Sequence, residues 1–326
     1  MIIRCLKEDI YQGLQSIQRA IPTKSFYNSI QSGIYISAKN SQIELQATDT
    51  EISIIAIVNA DVIEEGSLIL NGKYLHEIIR KMYSGYIDIS LNNDDNTVLI
   101  KQNQAQFNLL SVQVDDFPVI QRLPENKNIT LNNNVLCDLV KHTVFACSND
   151  ESRPIFTGAL LSVQDNCVTM AATNTYLLAI KKDKIDTDTS FSAIIPAKTL
   201  NETARLVASE EVNPVNIIWH NNQVAFSYKN IYLISRLING EFPDYKRVVP
   251  ESFASNAVVE TAEMVHSLGL ASLIATNSGM NAIKFIFKED SLTINSNNPD
   301  IGMGTQTIPI SLSGDNVEIS FREEYI

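Results

Sequence analysis

Leu45–Thr50 reads LQATDT, and Met170–Thr175 reads MAATNT. Thr173 follows Thr48 by 125 residues, and the same interval separates a series of other matched pairs. These pairs are Gly33/Gly158, Lys73/Lys198, Leu75/Leu200, Glu77/Glu202, Arg80/Arg205, Phe117/Phe242 and Arg122/Arg247. Pairs that matched by chance would be separated by different intervals, whereas these pairs share one. The interval is far longer than the roughly 20–50 residues of a solenoid unit, so each repeat is a whole domain.

Composition limits the class of protein. The chain has 326 residues, 44% of them hydrophobic and 19% charged, which suits two or three folded domains and excludes a disordered chain. It lacks an apolar run of about 18 residues and a secretion signal, so we expect a cytoplasmic protein that does not insert into membranes. Its four cysteines show no metal-ligand spacing, and its four histidines fall in separate elements. We therefore expect reduced thiols, no metal and no cofactor.

Hydrophobic periodicity predicts the same order of elements in each copy: strand, helix, several strands, helix, several strands. In the first copy, apolar residues spaced by three or four predict helices over Lys7–Ile21 and Lys73–Met82. In the second copy, the predicted helices span Asn134–Ala146 and Ala197–Ala208. Short runs rich in Ile and Val, separated by Asn, Ser and Gly, predict the strands. The fold class is therefore α+β.

The domain junctions are predicted at two similar segments, each with a Phe-Pro pair followed by an arginine. They predict extended connectors and domains at 1–122, 123–247 and 248–326. In the third copy, Leu292–Ser296 is expected to stand in the place of Leu45–Asp49. Only residues 251–326 follow Pro250, so the third copy is expected to be incomplete, with its second helix starting near Arg322.

The second helices carry the electrostatic signal. Lys73, Glu77 and Arg80 lie on one helical face, opposite the Leu75 stripe, and the second copy repeats that face. A solvated face with internal ion pairs is one interpretation. The other is a basic surface that two copies present to one axis, although the net charge is −12. Such a surface would contact phosphates without reading base sequence.

Three longer segments carry a resemblance to a known family: Asp150–Gly158, Ala171–Ala179 and Leu237–Pro250. They resemble the bacterial β sliding clamp, the processivity subunit of DNA polymerase III. The end of the first helix and its loop, Arg19–Ser25, is also similar to that family. The resemblance covers essentially the whole chain.

The resemblance implies three tandem clamp domains, each with two helices packed on antiparallel β-sheet. It also implies a head-to-tail homodimer that closes a ring around double-stranded DNA, and a protein that is not an enzyme. The implied partners are the DNA polymerase III α subunit, the clamp loader complex and other proteins that carry a clamp-binding motif. They would dock a short peptide into an apolar pocket between the second and third domains.

The resemblance also implies three groups of site residues. The DNA contacts would be Lys24, Arg153, Lys198, Arg205 and Arg247, with Lys73 and Arg80 behind them. The peptide pocket would include Phe156, Thr173, Thr175, Leu178, Pro243, Val248 and Tyr325. The ring joint would pair Phe107 and Leu109 with Leu273 and Ile274 of a second protomer.

Several alternatives stay open. Arg247 could instead hold the connector through Asp244, and the four joint residues could be ordinary core. A clamp relative that acts as a monomeric peptide-binding module is a second function. An enzyme of unknown type is a third, although the chain has no Gly-rich phosphate loop and no nucleophile elbow.

Overall fold

The structure is a computed structural model that describes residues 1–22, 33–92, 94–112, 117–118, 120–275, 282–322 and 325. The described chain divides into two compact units, Met1–Phe242 and Pro243–Ile326. The first unit holds the first and second copies, and the second unit holds the third.

The first copy contains nine strands and two α-helices among its described residues. They are β1 (Ile2–Leu6), α1 (Lys7–Ile17), β2 (Gly33–Lys39), β3 (Gln42–Thr48), β4 (Ile52–Asn59), β5 (Asp61–Glu64), β6 (Gly66–Asn71), α2 (Gly72–Lys81), β7 (Tyr86–Asn92), β8 (Thr97–Gln102) and β9 (Ala105–Leu110).

The second copy repeats this order from β10 onward, without a counterpart of β5. Its elements are β10 (Asn128–Asn132), α3 (Asn133–Lys141), β11 (Gly158–Gln164), β12 (Cys167–Thr173), β13 (Leu178–Lys184), β14 (Phe191–Pro196), α4 (Ala197–Val207), β15 (Pro214–His220), β16 (Gln223–Tyr228) and β17 (Ile231–Arg236).

The third copy begins in the same way. Its described elements are β18 (Ser255–Val259), α5 (Thr261–Ala275), β19 (Ala282–Lys288), β20 (Ser291–Asn298), β21 (Gly302–Gly314) and β22 (Val317–Arg322). Arg322, where a second helix was expected to start, is the last residue of β22. Most of the residues that follow it lie outside the described chain.

All strand pairs described in the structure are antiparallel. One five-stranded sheet has the order β5-β1-β7-β8-β9, and one four-stranded sheet has the order β13-β12-β11-β14. An eight-stranded sheet, β10-β15-β16-β17-β4-β3-β2-β6, runs from the second copy into the first through β17 and β4. The third copy has its own sheet, β18-β21-β20-β19-β22. The predicted α+β class is confirmed.

The helices of the first two copies bury the apolar stripes that predicted them. Ile10, Leu14 and Ile17 of α1 are fully buried, as are Leu75 of α2 and Leu200 of α4. The helix α2 begins cleanly because the side-chain oxygen of Asn71 accepts hydrogen bonds from the backbone N–H groups of Lys73 and Tyr74.

Two helices end earlier than predicted. The helix α1 stops at Ile17 and continues as a single 3-10 turn over Gln18–Ala20. The helix α3 stops at Lys141, and a separate 3-10 turn covers Val144–Ala146. The apolar spacing runs on through these 3-10 turns, so the periodicity overestimates the length of both helices.

The predicted alignment of the third copy was wrong by two residues. Lys39 pairs with Gln42 across the β2–β3 turn, and Lys288 pairs with Ser291 across the β19–β20 turn. Leu292 therefore corresponds to Ile43, so Leu292–Ser296 matches Ile43–Ala47. The alternating pattern of a strand repeats every two residues, which makes a two-residue shift invisible in the sequence.

Candidate nucleic-acid interface and docking surfaces

The repeated turn after β3 and β12 has one geometry in both copies. The Asp49 Oδ1 atom accepts hydrogen bonds from the N–H groups of Glu51 (3.1 Å) and Ile52 (2.9 Å). The Asn174 Oδ1 atom accepts the matching bonds from Tyr176 (3.0 Å) and Leu177 (2.8 Å). The Thr-Asx-Thr motif therefore encodes a turn, because a short side-chain oxygen replaces a backbone acceptor there.

The predicted basic face of the second helices is solvent-exposed but locally neutralised. Arg80 Nη2 lies 2.6 Å from Glu77 Oε2, and Arg205 Nε lies 2.8 Å from Glu202 Oε2. The hydrogen bond from Arg80 lowers the pKa of Glu77. The ion pairs within each helix therefore reduce the positive charge of this face, as the solvated-face interpretation expects.

Lys198 forms two ion pairs with the first copy. Its Nζ atom lies 2.6 Å from Asp49 Oδ2 and 2.7 Å from Glu51 Oε2. Partial burial lowers the pKa of Lys198, the hydrogen bonds to these two acids raise it, and the net shift is upward. The lysine is therefore a charged bridge between α4 and the turn that follows β3.

The remaining predicted DNA contacts lie in several places. Arg153 Nε is 3.5 Å from Asp150 Oδ2, and its guanidinium lies 5.9 Å from the centre of the Phe156 ring. Lys73 is exposed and has no ion pair with any described residue. Lys24 lies outside the described residues.

Arg247 forms an ion pair with Asp244, with Nε 2.9 Å from Oδ2, as one of the two interpretations expected. Its counterpart in the first copy is Arg122, which lies over the Tyr232 ring at 5.1 Å and reaches Glu44 at 3.9 Å. Tyr232 packs with Ile55 in a small cluster separate from the main core that contains Ile54 and α1. Arg122 therefore lies on the sheet face away from the helices, here called the outer face.

The connector after the first copy covers that outer face. Tyr232 Oη accepts a hydrogen bond from the Leu123 N–H group at 3.0 Å. Gln46 Oε1 accepts one from the Ile120 N–H group at 2.9 Å. Phe117 stacks on Tyr35 with ring centres 5.4 Å apart. The first connector is thus bound to the sheet.

The predicted peptide-pocket residues fall in both compact units. In the first unit, Leu178 pairs with Thr173 at the start of β13, an edge strand, and Phe156 ends a 3-10 turn. Thr175 and Tyr176 are exposed in the turn beside them. In the second unit, Pro243 precedes a 3-10 turn over Tyr245–Val248, Val248 is 71% exposed, and Tyr325 is half-buried.

The predicted ring-joint residues are not ordinary core. Phe107 is 42% exposed and Leu109 is half-buried on β9, the edge strand of its sheet. Leu273 is 69% exposed near the end of α5, and Ile274 is half-buried beside it. Exposed apolar side chains in two places suit a surface that another chain covers.

Sequence reasoning missed two features of these surfaces. The first is the pair of acids that binds Lys198, since they lie more than 140 residues away in the chain. The second is a cavity of about 660 Å³ between the end of α2 and the β8–β9 hairpin. Tyr74, Ile78, Met82, Tyr83 and Phe107 are among the residues that line it.

Two features are absent from the described residues. No group of His, Cys, Asp and Glu side chains there has the arrangement to hold a metal ion. In the same part of the chain, no helix is long and apolar enough to cross a membrane.

Models of known protein families match the chain along most of its length. The models for the N-terminal, central and C-terminal domains of the DNA polymerase III beta subunit match residues 1–121, 130–244 and 246–326, respectively. The chain belongs to the DNA polymerase III beta subunit family. The three clamp domains that the repeats predicted are therefore those of this family.

Individual relatives agree with the family assignment. The beta sliding clamp of Bacillus subtilis (strain 168) is 29% identical over 332 residues, covering 98% of this chain and 87% of the relative. The beta sliding clamp of Staphylococcus aureus (strain Mu50) is 31% identical over 307 residues, covering 91% and 81%. The crystal structure of the Bacillus subtilis DNA polymerase sliding clamp superposes with a TM-score of 0.94 at 28% identity, covering all of this chain and 88% of that one. The beta subunit of Thermotoga maritima, 22% identical, has the same fold with a TM-score of 0.91.

Proposed function

We propose that this chain is a DNA sliding clamp, a ring-shaped processivity factor that encircles duplex DNA and tethers a polymerase without catalysing a reaction. The observation that carries the proposal is the junction between the first two copies, where β17 pairs with β4 inside one continuous sheet. The first copy has a corresponding sheet edge at β9. A closed ring retains DNA by topology, so its contacts with phosphate can stay weak.

The internal junction provides a template for ring closure. At this junction Leu233 pairs with Ile54, and both side chains are buried in the main core. The strand β9 is the counterpart of β17 in the first copy, and it forms a sheet edge. The counterpart of β4 in the third copy is the first part of β21, which pairs with β20 on one side.

Transferring the register of the internal junction places Phe107 opposite Gly304 of a second copy. A Cβ atom on Gly304 would lie 2.9 Å from Ile274 Cδ1, so Ile274 fills the space above that glycine. Phe107 would then contact Ile274 of the second copy directly. This supports the proposed joint, in which Leu109 and Leu273 would take part beside them.

The size of the protein in solution tests the proposed ring. We expect sedimentation equilibrium to show a dimer. The variant Phe107→Arg should raise the dissociation constant of that dimer at least tenfold. Phe145→Arg, which changes an aromatic residue exposed on a 3-10 turn of the second copy, is the matched control. A wild-type protein that sediments as a monomer would exclude the ring and favour the peptide-binding module.

We propose further that Arg80, Arg153 and Arg205 supply the phosphate contacts. All three are exposed, and their acidic partners are near neighbours in the chain, which keeps the net attraction for DNA small. Arg247 is left out because its counterpart Arg122 lies on the other face of the sheet. Phosphate contacts carry no base information, so binding should be independent of sequence and fall with salt.

Retention on DNA tests this surface. After a clamp loader has placed the protein on a nicked circular plasmid, Arg80→Glu together with Arg205→Glu should lower retention equally on plasmids of different sequence. The exposed Lys39→Glu, on the β2–β3 hairpin, is the control. Linearising the plasmid should release the wild-type protein, and retention on linear DNA would contradict topological binding.

We also propose that partner proteins, among them the polymerase α subunit and the clamp loader, dock a short peptide at Leu178. This residue lies on the sheet face that corresponds to the outer face of the first copy, at an edge strand beside the exposed Tyr176. A peptide with an early Gln and a late Leu-Phe pair is the probe.

Calorimetry with that peptide separates this site from a general apolar surface. Leu178→Asp should reduce affinity at least tenfold, because a carboxylate would lie where an apolar side chain must be buried. Ile63→Asp, at an exposed apolar residue of β5, should leave it unchanged. Equal affinity in the wild type and Leu178→Asp would place the peptide elsewhere.

A further inference from the structure

The sequence contains two Asn-Gly pairs, Asn71-Gly72 and Asn239-Gly240. In such a pair the backbone nitrogen of the glycine can attack the side-chain carbonyl carbon of the asparagine, because glycine has no Cβ to obstruct the approach. The attack requires an unengaged side-chain amide, an unengaged backbone N–H group and a peptide unit that can rotate. The structure places the two pairs in opposite environments.

The first pair is held where β6 leads into α2. Asn71 pairs with Gly33 across the β2–β6 ladder. Its side-chain oxygen accepts hydrogen bonds from the N–H groups of Lys73 and Tyr74 at 3.1 and 3.3 Å, and Gly72 is buried. A reaction between Asn71 and Gly72 would therefore have to break a helix cap and a strand pair together.

The second pair lies in irregular chain after β17. Asn239 is exposed, and the backbone bridge between Ile238 and Ile194 is the last strand pairing before it. Among the residues that the structure describes, none forms a hydrogen bond with the Asn239 side chain or with the Gly240 N–H group. The asparagine amide and the glycine nitrogen are thus both available for reaction.

The fold itself requires the glycine that follows Asn239. Gly240 has a φ of +129°, a conformation that L-residues with a side chain rarely adopt. A Cβ atom at this position would lie 2.8 Å from Ile155 Cγ2, so any larger residue would need Ile155 to move. The reactive pair is therefore a consequence of how the turn is built.

We propose that the fold leaves Asn239 as a site of spontaneous deamidation and isomerisation, and protects Asn71 from the same reaction. Once hydroxide has removed the proton of the Gly240 N–H group, this nitrogen attacks Asn239 Cγ. The N–Cγ bond forms, the Cγ–Nδ2 bond breaks, and Nδ2 takes a proton from water and leaves as ammonia. Water then opens the five-membered succinimide ring, at Cγ to give aspartate or at the backbone carbonyl carbon to give isoaspartate.

Both products change the start of the connector between the second and third copies. Aspartate adds a negative charge, and isoaspartate also lengthens the main chain by a carbon atom, because the chain then runs through Cγ. The added atom would displace Gly240 from Ile155, which lies in the same 3-10 turn as Phe156. Phe156 belongs to the proposed peptide site, so this consequence rests on the proposed function, whereas the reaction at Asn239 does not.

Peptide mapping by mass spectrometry tests the reaction. The full chain is incubated at pH 8, and the peptides that contain Asn71 and Asn239 are followed for the mass change from amide to acid. In the native protein, we expect Asn239 to react at least tenfold faster than Asn71. In guanidinium chloride, which unfolds both environments, the two rates should agree within about threefold. Equal rates in the native protein would overturn the proposal, as would a tenfold difference that persisted in the denaturant.

Calorimetry with the probe peptide tests the consequence at Phe156. After Asn239 has reacted, the wild type should bind the peptide at least threefold more weakly than fresh protein does. Asn239→Gln, whose longer side chain would have to close a less favourable six-membered ring, should be unchanged by the same incubation. Asn239→Glu adds the charge without lengthening the main chain and should bind like fresh wild type.

An equal loss of affinity in incubated wild type and incubated Asn239→Gln would overturn the effect on Phe156. If fresh wild type did not bind the peptide, the proposed docking site would fail, while the mass measurement would still decide whether Asn239 reacts.

Discussion

Thr50 and Thr175 adopt the same left-handed backbone conformation, each with a φ of +79°. They lie at matching points of the two repeated turns, so the duplicated motif preserves a conformation that a β-branched residue rarely adopts. The hydrogen bonds to Asp49 and Asn174 hold the chain in this shape. The repeat is thus visible in backbone geometry as well as in sequence.

Replacing either threonine with glycine should relieve that strain. We expect Thr50→Gly and Thr175→Gly each to stabilise the protein by about 1 kcal/mol in urea unfolding, since glycine has no Cβ to clash at positive φ. Thr189→Gly, at an exposed threonine without a positive φ, should destabilise it instead. Destabilisation of equal size at all three positions would contradict the strain.

At Gly158, any side chain would clash with the backbone of the neighbouring strand. A Cβ atom there would be 2.5 Å from the carbonyl oxygen of Ile195 on the neighbouring strand. Gly158→Ala should therefore cost roughly 2–4 kcal/mol of unfolding free energy, because a strand cannot move aside as a side chain can. Gly269→Ala, in α5 with open space around it, should stabilise by about 1 kcal/mol. A neutral Gly158→Ala would show that the two strands separate easily.

Tyr232 and Tyr228 allow a comparison between a hydroxyl group that accepts a hydrogen bond and one that has no partner in the described structure. Tyr232→Phe would leave the buried N–H group of Leu123 without an acceptor and should cost about 1–3 kcal/mol. Tyr228 has a buried hydroxyl with no hydrogen-bond partner in the described structure, so Tyr228→Phe should be neutral or stabilising. Urea unfolding of both variants compares them directly. Equal costs would mean that the connector is not held by the Tyr232 hydroxyl.

The thiols of the buried Cys5 and the half-buried Cys147 should resist alkylation. Burial raises the pKa of Cys5 and of Cys147 to about 12, and nearby Asp9 adds to the effect at Cys5. Because a raised pKa disfavours the thiolate, both should react slowly with iodoacetamide at pH 8, and the rate should rise about tenfold per pH unit up to that pKa. Mass spectrometry of the labelled native protein gives the site-specific rates. Rapid labelling at pH 8 would mean that these thiols become exposed in the native state.

Sequence periodicity predicted the helices well, because their stripes, such as Leu75 with Ile79, are buried on one side only. Periodicity did not predict strands that are rich in residues with weak strand preference. The edge strand β13 carries three lysines, and β21 contains Pro309 and three glycines. Tertiary pairing keeps these segments extended even though their residues have weak strand preference.

In the candidate site too, local features could be predicted from the sequence and long-range contacts could not. The exposed face of the second helices followed from local spacing. The partners of Lys198 did not, because β17 must first pair with β4 before the turn at Asp49 comes near α4. The position of Arg122 on the outer face did not follow from local spacing either, because its stacking on Tyr232 is a long-range contact.

The shared eight-stranded sheet also has a consequence for dissecting the protein. The first two copies are separate repeats in sequence, yet they form one compact unit. A fragment that ends after the first copy would expose the edge of β4, where Ile52, Ile54 and Ile55 are buried in the intact protein. Such an edge readily pairs with another copy of itself. The two repeats should therefore melt in a single transition and resist expression as independent pieces, so that a gene boundary between them would not be a folding boundary.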